Sequence, residues 1–260
     1  MTETNVEKMS ASRLALIIAC PRKYIFKYVM GLADPSSKAL GIGKAFHEIL
    51  EGKNPSAVEH GIDECDIGVV QKMAKNHAFI TRSLPPVKFK EVKFETPTLL
   101  GFLDAIRIRD TGSWAIAERK TAGDLSRMET IRRDLQLCTY AASKSVVAET
   151  CKLDPDKFDG FYYEVTLKPS ERIKKNETPT EFVSRCSVMT EVARIEPSEQ
   201  KEMADHFYQQ SGYALKLREI ALERYNAWND PLAVPCNQSS CKLFNQKCAY
   251  FERCYGEKKE

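Results

Sequence analysis

Apolar residues run in a helical rhythm from Ser10 to Gly31, with a kink or interruption at Cys20-Pro21, where proline cannot continue the hydrogen-bond ladder. Ser10 and Ser12 offer capping oxygens for that helix. A second amphipathic helix is predicted over 38–51, where Ile42, Phe46, Ile49 and Leu50 share one face. A third, weaker helical pattern covers 63–82. From Lys88 the period changes: VKFKEVKFE alternates apolar and charged residues, as a half-buried strand does. Strands follow at 98–109 and 113–120, joined as a hairpin by the turn signal Asp110-Thr111-Gly112.

Helical spacing returns over 127–150, with Ile131, Leu135, Leu137, Cys138, Ala141 and Ala142 facing inward. FDGFYYEVTL (158–167) and FVSRCSVM (182–189) are predicted strands linked by a polar surface loop. A long helix over 198–228 precedes a cysteine-rich tail. Helices, three strands, helix, two strands, helix: this order predicts an α/β fold, a mixed sheet flanked by helices. No internal repeat or low-complexity tract interrupts it.

Composition narrows the picture only modestly. With 260 residues, 43% hydrophobic and 29% charged, the chain suits one large domain with an ordinary core. A net charge of +3 permits a polyanionic partner without requiring one. No apolar run approaches the roughly 20 residues that span a bilayer. The opening MTETNVEKMS is polar and acidic, neither secretory signal nor transit peptide, so the expected location is the cytoplasm, or the host cytoplasm if the chain is viral. Nine cysteines in a reducing compartment are thiols or metal ligands rather than disulfides. Five are scattered, whereas Cys236, Cys241, Cys248 and Cys254 crowd the last 25 residues.

The candidate chemistry centres on the hairpin. Asp104 interrupts an apolar strand, and Glu118 and Lys120 end the next as E-R-K. Residues two apart in a strand share a face, so Glu118 and Lys120 project together, and hairpin pairing can bring Asp104 alongside. Two converging carboxylates favour a hard divalent cation such as Mg²⁺ or Mn²⁺. Read alone, E-x-K is more often a strand-end ion pair; Asp104 weighs against that, because burying it unpaired is costly.

GFLDAI followed by AIAERKT resembles the core of the PD-(D/E)xK nuclease superfamily, in particular its RecB-like exonuclease branch, with Leu103-Asp104 in place of Pro-Asp. Three further segments match that branch: Gly43-Lys-Ala-Phe-His47, Gln136-Leu-Cys-Thr-Tyr140, and Cys20-Pro-Arg-Lys-Tyr24 together with the terminal cysteines. The resemblance implies a restriction-endonuclease-like core in which His47, Asp104, Glu118 and the Arg119 carbonyl hold Mg²⁺ or Mn²⁺. It implies that Lys120, Gln136 and Tyr140 serve catalysis. It also implies a [4Fe–4S] cluster on Cys20, Cys241, Cys248 and Cys254, as in CRISPR-associated and AddB-type nucleases. Cys236 is the substitute ligand and zinc the alternative metal, because the tight C-x-x-C is absent. The expected organisation is one nuclease domain over 1–260, with a core at about 85–190. Helices at 8–82 and the helix plus cysteine tail at 197–256 are expected to be joined by the metal cluster.

The resulting expectation is a DNA exonuclease acting on an end with single-stranded character, with any helicase or recombination partner a separate chain. Arg22, Lys23, Lys27, Arg132 and Arg133 are candidate phosphate contacts, and Tyr24, Tyr28 and Tyr140 candidate base-stacking rings. Competing readings are a zinc-clamped nucleic-acid-binding module without catalysis, a structure-selective endonuclease on the same fold, and a phage or replication accessory protein.

Overall fold

The computed structural model describes residues 8–33, 37–243 and 246–255; the remainder of the 1–260 domain expectation, including the end of the tail at 256, lies outside the described residues. The described helices are α1 Ala11–Ala19, α2 Pro21–Tyr24, α3 Lys38–Glu51, α4 Ala57–His60, α5 Glu64–Thr81, α6 Leu135–Ala142, α7 Lys144–Cys151, α8 Pro179–Arg185, α9 Gln200–Trp228 and α10 Phe251–Tyr255. The strands are β1 Val87–Glu95, β2 Leu100–Ile108, β3 Trp114–Ala122, β4 Phe158–Leu167 and β5 Thr190–Ile195, with a two-residue pair, β6 Lys242–Leu243 and β7 Gln246–Lys247. Two compact units divide the chain, one within Met1–Pro35, Glu95–Gly101 and Ala204–Glu260, the other within Ser36–Phe94 and Phe102–Met203.

The second unit is built on a five-stranded sheet in the order β1-β2-β3-β4-β5. β2 and β3 pair antiparallel with Ala105 opposite Ala117, β3 and β4 pair parallel with Arg119 opposite Glu164, and β4 and β5 pair antiparallel. The predicted mixed α/β sheet flanked by helices is therefore present. One sheet face buries Ala105, Ala115, Ala117 and Tyr162. The helical layer has its own core, in which Phe46 of α3, Val70 and Met73 of α5 and Phe182 of α8 are buried together.

Local chemistry sets the helix ends. Ser37 caps α3 by accepting from the Leu40 N–H, and Gly52 ends it with φ 90°, a left-handed conformation that glycine adopts without strain. Asp63 and Asp66 form a capping box at the start of α5. Two expectations need correction. The helix over 127–150 is three pieces: a 3₁₀ segment Ser126–Arg133, then α6, then α7. Asp134 leaves helical geometry to cap α6 by accepting from the N–H groups of Gln136 and Leu137, and buried Ser143 separates α6 from α7. The expected strand over 182–189 is instead helix α8 as far as Arg185 and irregular chain at 186–189, because Thr178 and Glu181 form a capping box with Pro179 at the first turn. The strand begins one step later, at Thr190.

In the first unit, Ser10 caps α1 by accepting from the Arg13 N–H, while Ser12 lies within the helix and bonds the Ser10 hydroxyl. Cys20 takes an extended conformation (φ −164°, ψ 107°), the predicted interruption before Pro21, and the chain resumes as α2 and a π-helical turn, Ile25–Val29. Among the described residues no helix is long and apolar enough to cross a membrane.

Candidate active site and cysteine cluster

Asp104 lies one step beyond the Ala105–Ala117 pair, opposite Glu118, so both carboxyls point away from the face that buries those alanines. The Asp104 carboxylate accepts the Arg119 backbone N–H at 2.7 Å. Glu118 is fully buried; its side chain ion-pairs with Lys120 and accepts from the Tyr140 hydroxyl at 3.0 Å. Burial pushes the Glu118 carboxyl up to about 8, Asp104 adds to that, and Lys120 opposes it.

Helix α6 braces this strand end. Lys120 donates to Gln136 at 2.6 Å, and the Gln136 amide donates to the Tyr140 hydroxyl at 2.5 Å. The single Tyr140 proton is shared between Glu118 and the Phe102 carbonyl, 2.8 Å away. Spacing of four on a helix makes this chain possible, as both residues lie on one face.

His47 comes from α3, with Nδ1 3.8 Å from an Asp104 oxygen. Burial lowers its pKa, with Lys120 and Arg119 adding to the effect against Asp104, so the imidazole is held in its neutral, ligating form. Gly43 lies one turn earlier, where α3 meets β3. A Cβ there would approach the Thr121 hydroxyl to 3.1 Å, so the glycine lets α3 approach β3 closely.

Glu91 was missed in the sequence. One ligating atom from each of His47, Glu91 and Asp104 lies within 4.8 Å of the others. Glu91 has φ 49°, unusual for a residue with a side chain, and the burial alternation of β1 changes phase there. The signal was legible: Val87 and Phe89 occupy odd positions, Val92 and Phe94 even ones, and the slip falls at Lys90-Glu91. Burial raises the Glu91 pKa, reinforced by Asp104 and Glu51. One imidazole and two carboxylates form a donor set that fits a hard divalent ion. Glu118 turns toward Lys120 and Tyr140 and stands beside this triad rather than within it.

A cavity of about 560 Å³ opens beside His47 and Lys120, with Gly43, Thr121, Lys44, Lys53 and Lys168 in its wall together with Glu48 and Glu51. The Arg119 side chain faces the other way, toward Glu164 at 3.4 Å. Several expected DNA contacts are otherwise engaged. The Arg22 guanidinium donates to the Val234 and Leu232 carbonyls at 2.9 and 2.8 Å, and Arg132 ion-pairs with Glu199. Tyr24 and Tyr140 are buried, with no ring face open to a base; Tyr28 is half-buried beneath the Arg13 guanidinium.

The first unit gathers Cys20, Cys241, Cys248 and Cys254 around one cavity of about 120 Å³, together with Phe26, Tyr250 and Phe251; Cys236 is not in its wall. All four are free thiols. Burial raises the Cys254 thiol, Cys20 and Cys241 add to this, and Arg22 opposes it. The chain ends are tied by the Arg22 bonds and by Ser240 donating to the Ala19 carbonyl at 3.0 Å.

Comparison with known proteins bears on the fold and the family. A crystal structure of a candidate exonuclease from Eubacterium rectale superimposes with TM-score 0.52 at 14% identity, covering 84% of this chain and 83% of that one, a likeness of fold. A phage-related exonuclease from Haemophilus somnus 129PT aligns over 83% of this chain and 95% of its own at 14% identity, with a TM-score of 0.39 that is too low to bear on the fold. No curated protein matches. The sequence profile of the PD-(D/E)XK nuclease superfamily matches residues 8–255, nearly the whole chain, and the chain belongs to that superfamily.

Proposed function

We propose that this nuclease is a metal-dependent exodeoxyribonuclease of the RecB-like branch, hydrolysing phosphodiester bonds at a DNA end with single-stranded character. The observation that carries the reading is the convergence of His47, Glu91 and Asp104 donor atoms within 4.8 Å, with Lys120 paired to Glu118 nearby and His47 and Lys120 lining an open cleft. His47, Glu91 and Asp104 would hold one Mg²⁺ or Mn²⁺, with Glu118 and the Arg119 carbonyl as further donors. Such an ion supplies activation of water and charge compensation at the phosphate.

The chain's own groups do the rest. Lys120 stands as a fixed cation where negative charge builds on the phosphate, and Gln136 and Tyr140 hold it and Glu118 in place. Lys44 and Lys168 draw the polyanionic strand toward the cleft, while Lys53 is paired with Glu51 in the same wall. In the first unit, Cys20, Cys241, Cys248 and Cys254 would hold a [4Fe–4S] cluster, with zinc as the alternative; thiolates suit both. Its role is structural, fastening the terminal segments. The setting is cytoplasmic, and a helicase or recombination protein is the kind of partner such a nuclease would serve.

The decisive experiment digests end-labelled DNA with Mg²⁺ or Mn²⁺, comparing wild type with Lys120→Ala and including a closed circular substrate. Wild type degrades linear DNA, spares circles, and loses activity in the variant. Cleavage of circles would make it an endonuclease; no cleavage with any divalent ion would remove the enzymatic reading. A brown protein containing inorganic sulfide distinguishes iron–sulfur from colourless zinc.

A further inference from the structure

The cleft containing His47 and Lys120 adjoins a second cavity of about 570 Å³, and the two share Ala39 and Lys168 in their walls. That volume lies within the range of ligand pockets, roughly 300–1,000 Å³. Ile42, Val69, Ile173 and Phe182 give the cavity an apolar lining, and Lys168 and Arg172 bring positive charge to it. Its carboxylates are already engaged. Asp63 and Asp66 hold the Lys38 ammonium at 3.2 and 2.9 Å, which sets a cation where a metal would sit among Asp63, Cys65 and Asp66. Glu171 accepts the Ser187 backbone N–H at 2.8 Å. Among the described residues no carboxylate pairs with Arg172.

Ala39 precedes His47 by eight residues of α3, about 12 Å along the helix axis. A stacked strand advances about 3.4 Å per nucleotide, so the second cavity lies a few nucleotides from the reacting phosphate. We infer that it seats one unstacked base of the strand being cut, with Arg172 and Lys168 meeting the flanking phosphates. A base presents an apolar face with charged backbone on either side, which matches an apolar lining with cations beside it. This deepens the nuclease reading and rests on it, by adding a subsite that confers dependence on a base at one fixed distance from the cut.

The test uses full-length Lys120→Ala protein, which holds substrate without turnover, and single-stranded oligonucleotides carrying one abasic position at a time. One position weakens binding roughly 5- to 100-fold, the range of a single base–side-chain stack. Adding Ile173→Ser shrinks the penalty at that position and leaves the others alone; Ile173 is 48% exposed, so the substitution spares the core. Arg172→Gln weakens binding of every oligonucleotide alike. If no abasic position matters, if Ile173→Ser leaves the penalty intact, or if single-stranded DNA is not bound, the subsite is overturned. Failure of the nuclease reading shows separately, as wild-type protein that cuts no DNA.

Discussion

The backbone N–H of Arg119 donates a 2.7 Å hydrogen bond to the Asp104 carboxylate, fastening that side chain to the strand that carries Glu118 and Lys120. Asp104→Asn keeps an oxygen to accept this bond but removes the charge that a divalent ion needs. The fold is therefore expected to survive, with a melting temperature within a few degrees of wild type. Even outer partners of metal ligands cost about 10- to 100-fold when lost, so cleavage should fall by a factor on the order of 100 or more. A variant that melts normally and cuts normally would remove Asp104 from the site.

Glu91 completes the triad from a left-handed backbone position, so its side chain and its conformation can be tested apart. Glu91→Gln retains the shape and loses the charge; Glu91→Gly suits φ 49° better and loses the ligand. Both should weaken the Mg²⁺ dependence of cleavage by about 10- to 100-fold, while Glu91→Gly melts no lower than Glu91→Gln. Unchanged Mg²⁺ dependence in both would make Glu91 a bystander.

How much of this was legible follows from what each signal depends on. Asp104, Glu118 and Lys120 stood out because strand alternation places them without knowledge of distant packing, whereas His47 came from the resemblance. Gln136 and Tyr140 came from the resemblance, and the structure supplies their hydrogen-bond chain. Glu91 was overlooked because VKFKEVKFE reads as one regular strand unless the phase slip at Lys90-Glu91 is noticed. Helix α8 was misread because the apolar residues in 182–189 alternate weakly, while the Thr178-Pro179-x-Glu181 cap that decides the matter lies just upstream. The engagement of Arg22 with carbonyls more than 200 residues away is a tertiary fact that no local pattern encodes.

Burial pushes the Glu118 carboxyl up to about 8 against the pull of Lys120, so the metal-free protein is expected to hold its proton at neutral pH. The unfolded chain releases that proton near 4.5, so the native state binds more protons between these values. Metal-free stability should decline as pH rises through this window. Mg²⁺ favours the carboxylate, so its addition at pH 7 should release up to about one proton, and almost none at pH 9. A pH indicator in weak buffer reads this directly. Glu118→Gln should abolish the release, and a wild-type protein that liberates no protons at pH 7 would contradict the assignment of Glu118 as a ligand.

Cys254 lines the cavity shared with Cys20, Cys241 and Cys248 in the first unit, whereas His47, Glu91, Asp104 and Lys120 belong to the second. Cys254→Ala is expected to lower soluble yield and metal content first. The fraction that remains folded should retain most of its rate per molecule. Iron, zinc and sulfide assays alongside specific activity check this. Normal yield with full cluster content would show that Cys254 is not a ligand.

Glu164 binds the strand that carries the site from its opposite side. Its buried carboxylate takes His77 Nε2 at 2.6 Å, the Arg107 guanidinium at 2.7 and 2.8 Å, and Arg119 Nε at 3.4 Å. Burial alone would raise its pKa, yet His77, Arg107 and Arg119 together hold it below the ordinary 4.5. The native state therefore binds fewer protons than the unfolded chain at low pH. The stability this provides is complete above 4.5 and is lost as pH falls through the depressed native value. Glu164→Gln leaves two buried guanidinium groups without their counter-charge, a change that typically costs about 3–5 kcal/mol. Urea unfolding at pH 7 should show that loss, and the difference between variant and wild type should shrink as the pH is lowered toward 3. Equal urea midpoints at pH 7 would mean that the network contributes no net stability, and that Arg119 is held in register by the sheet alone.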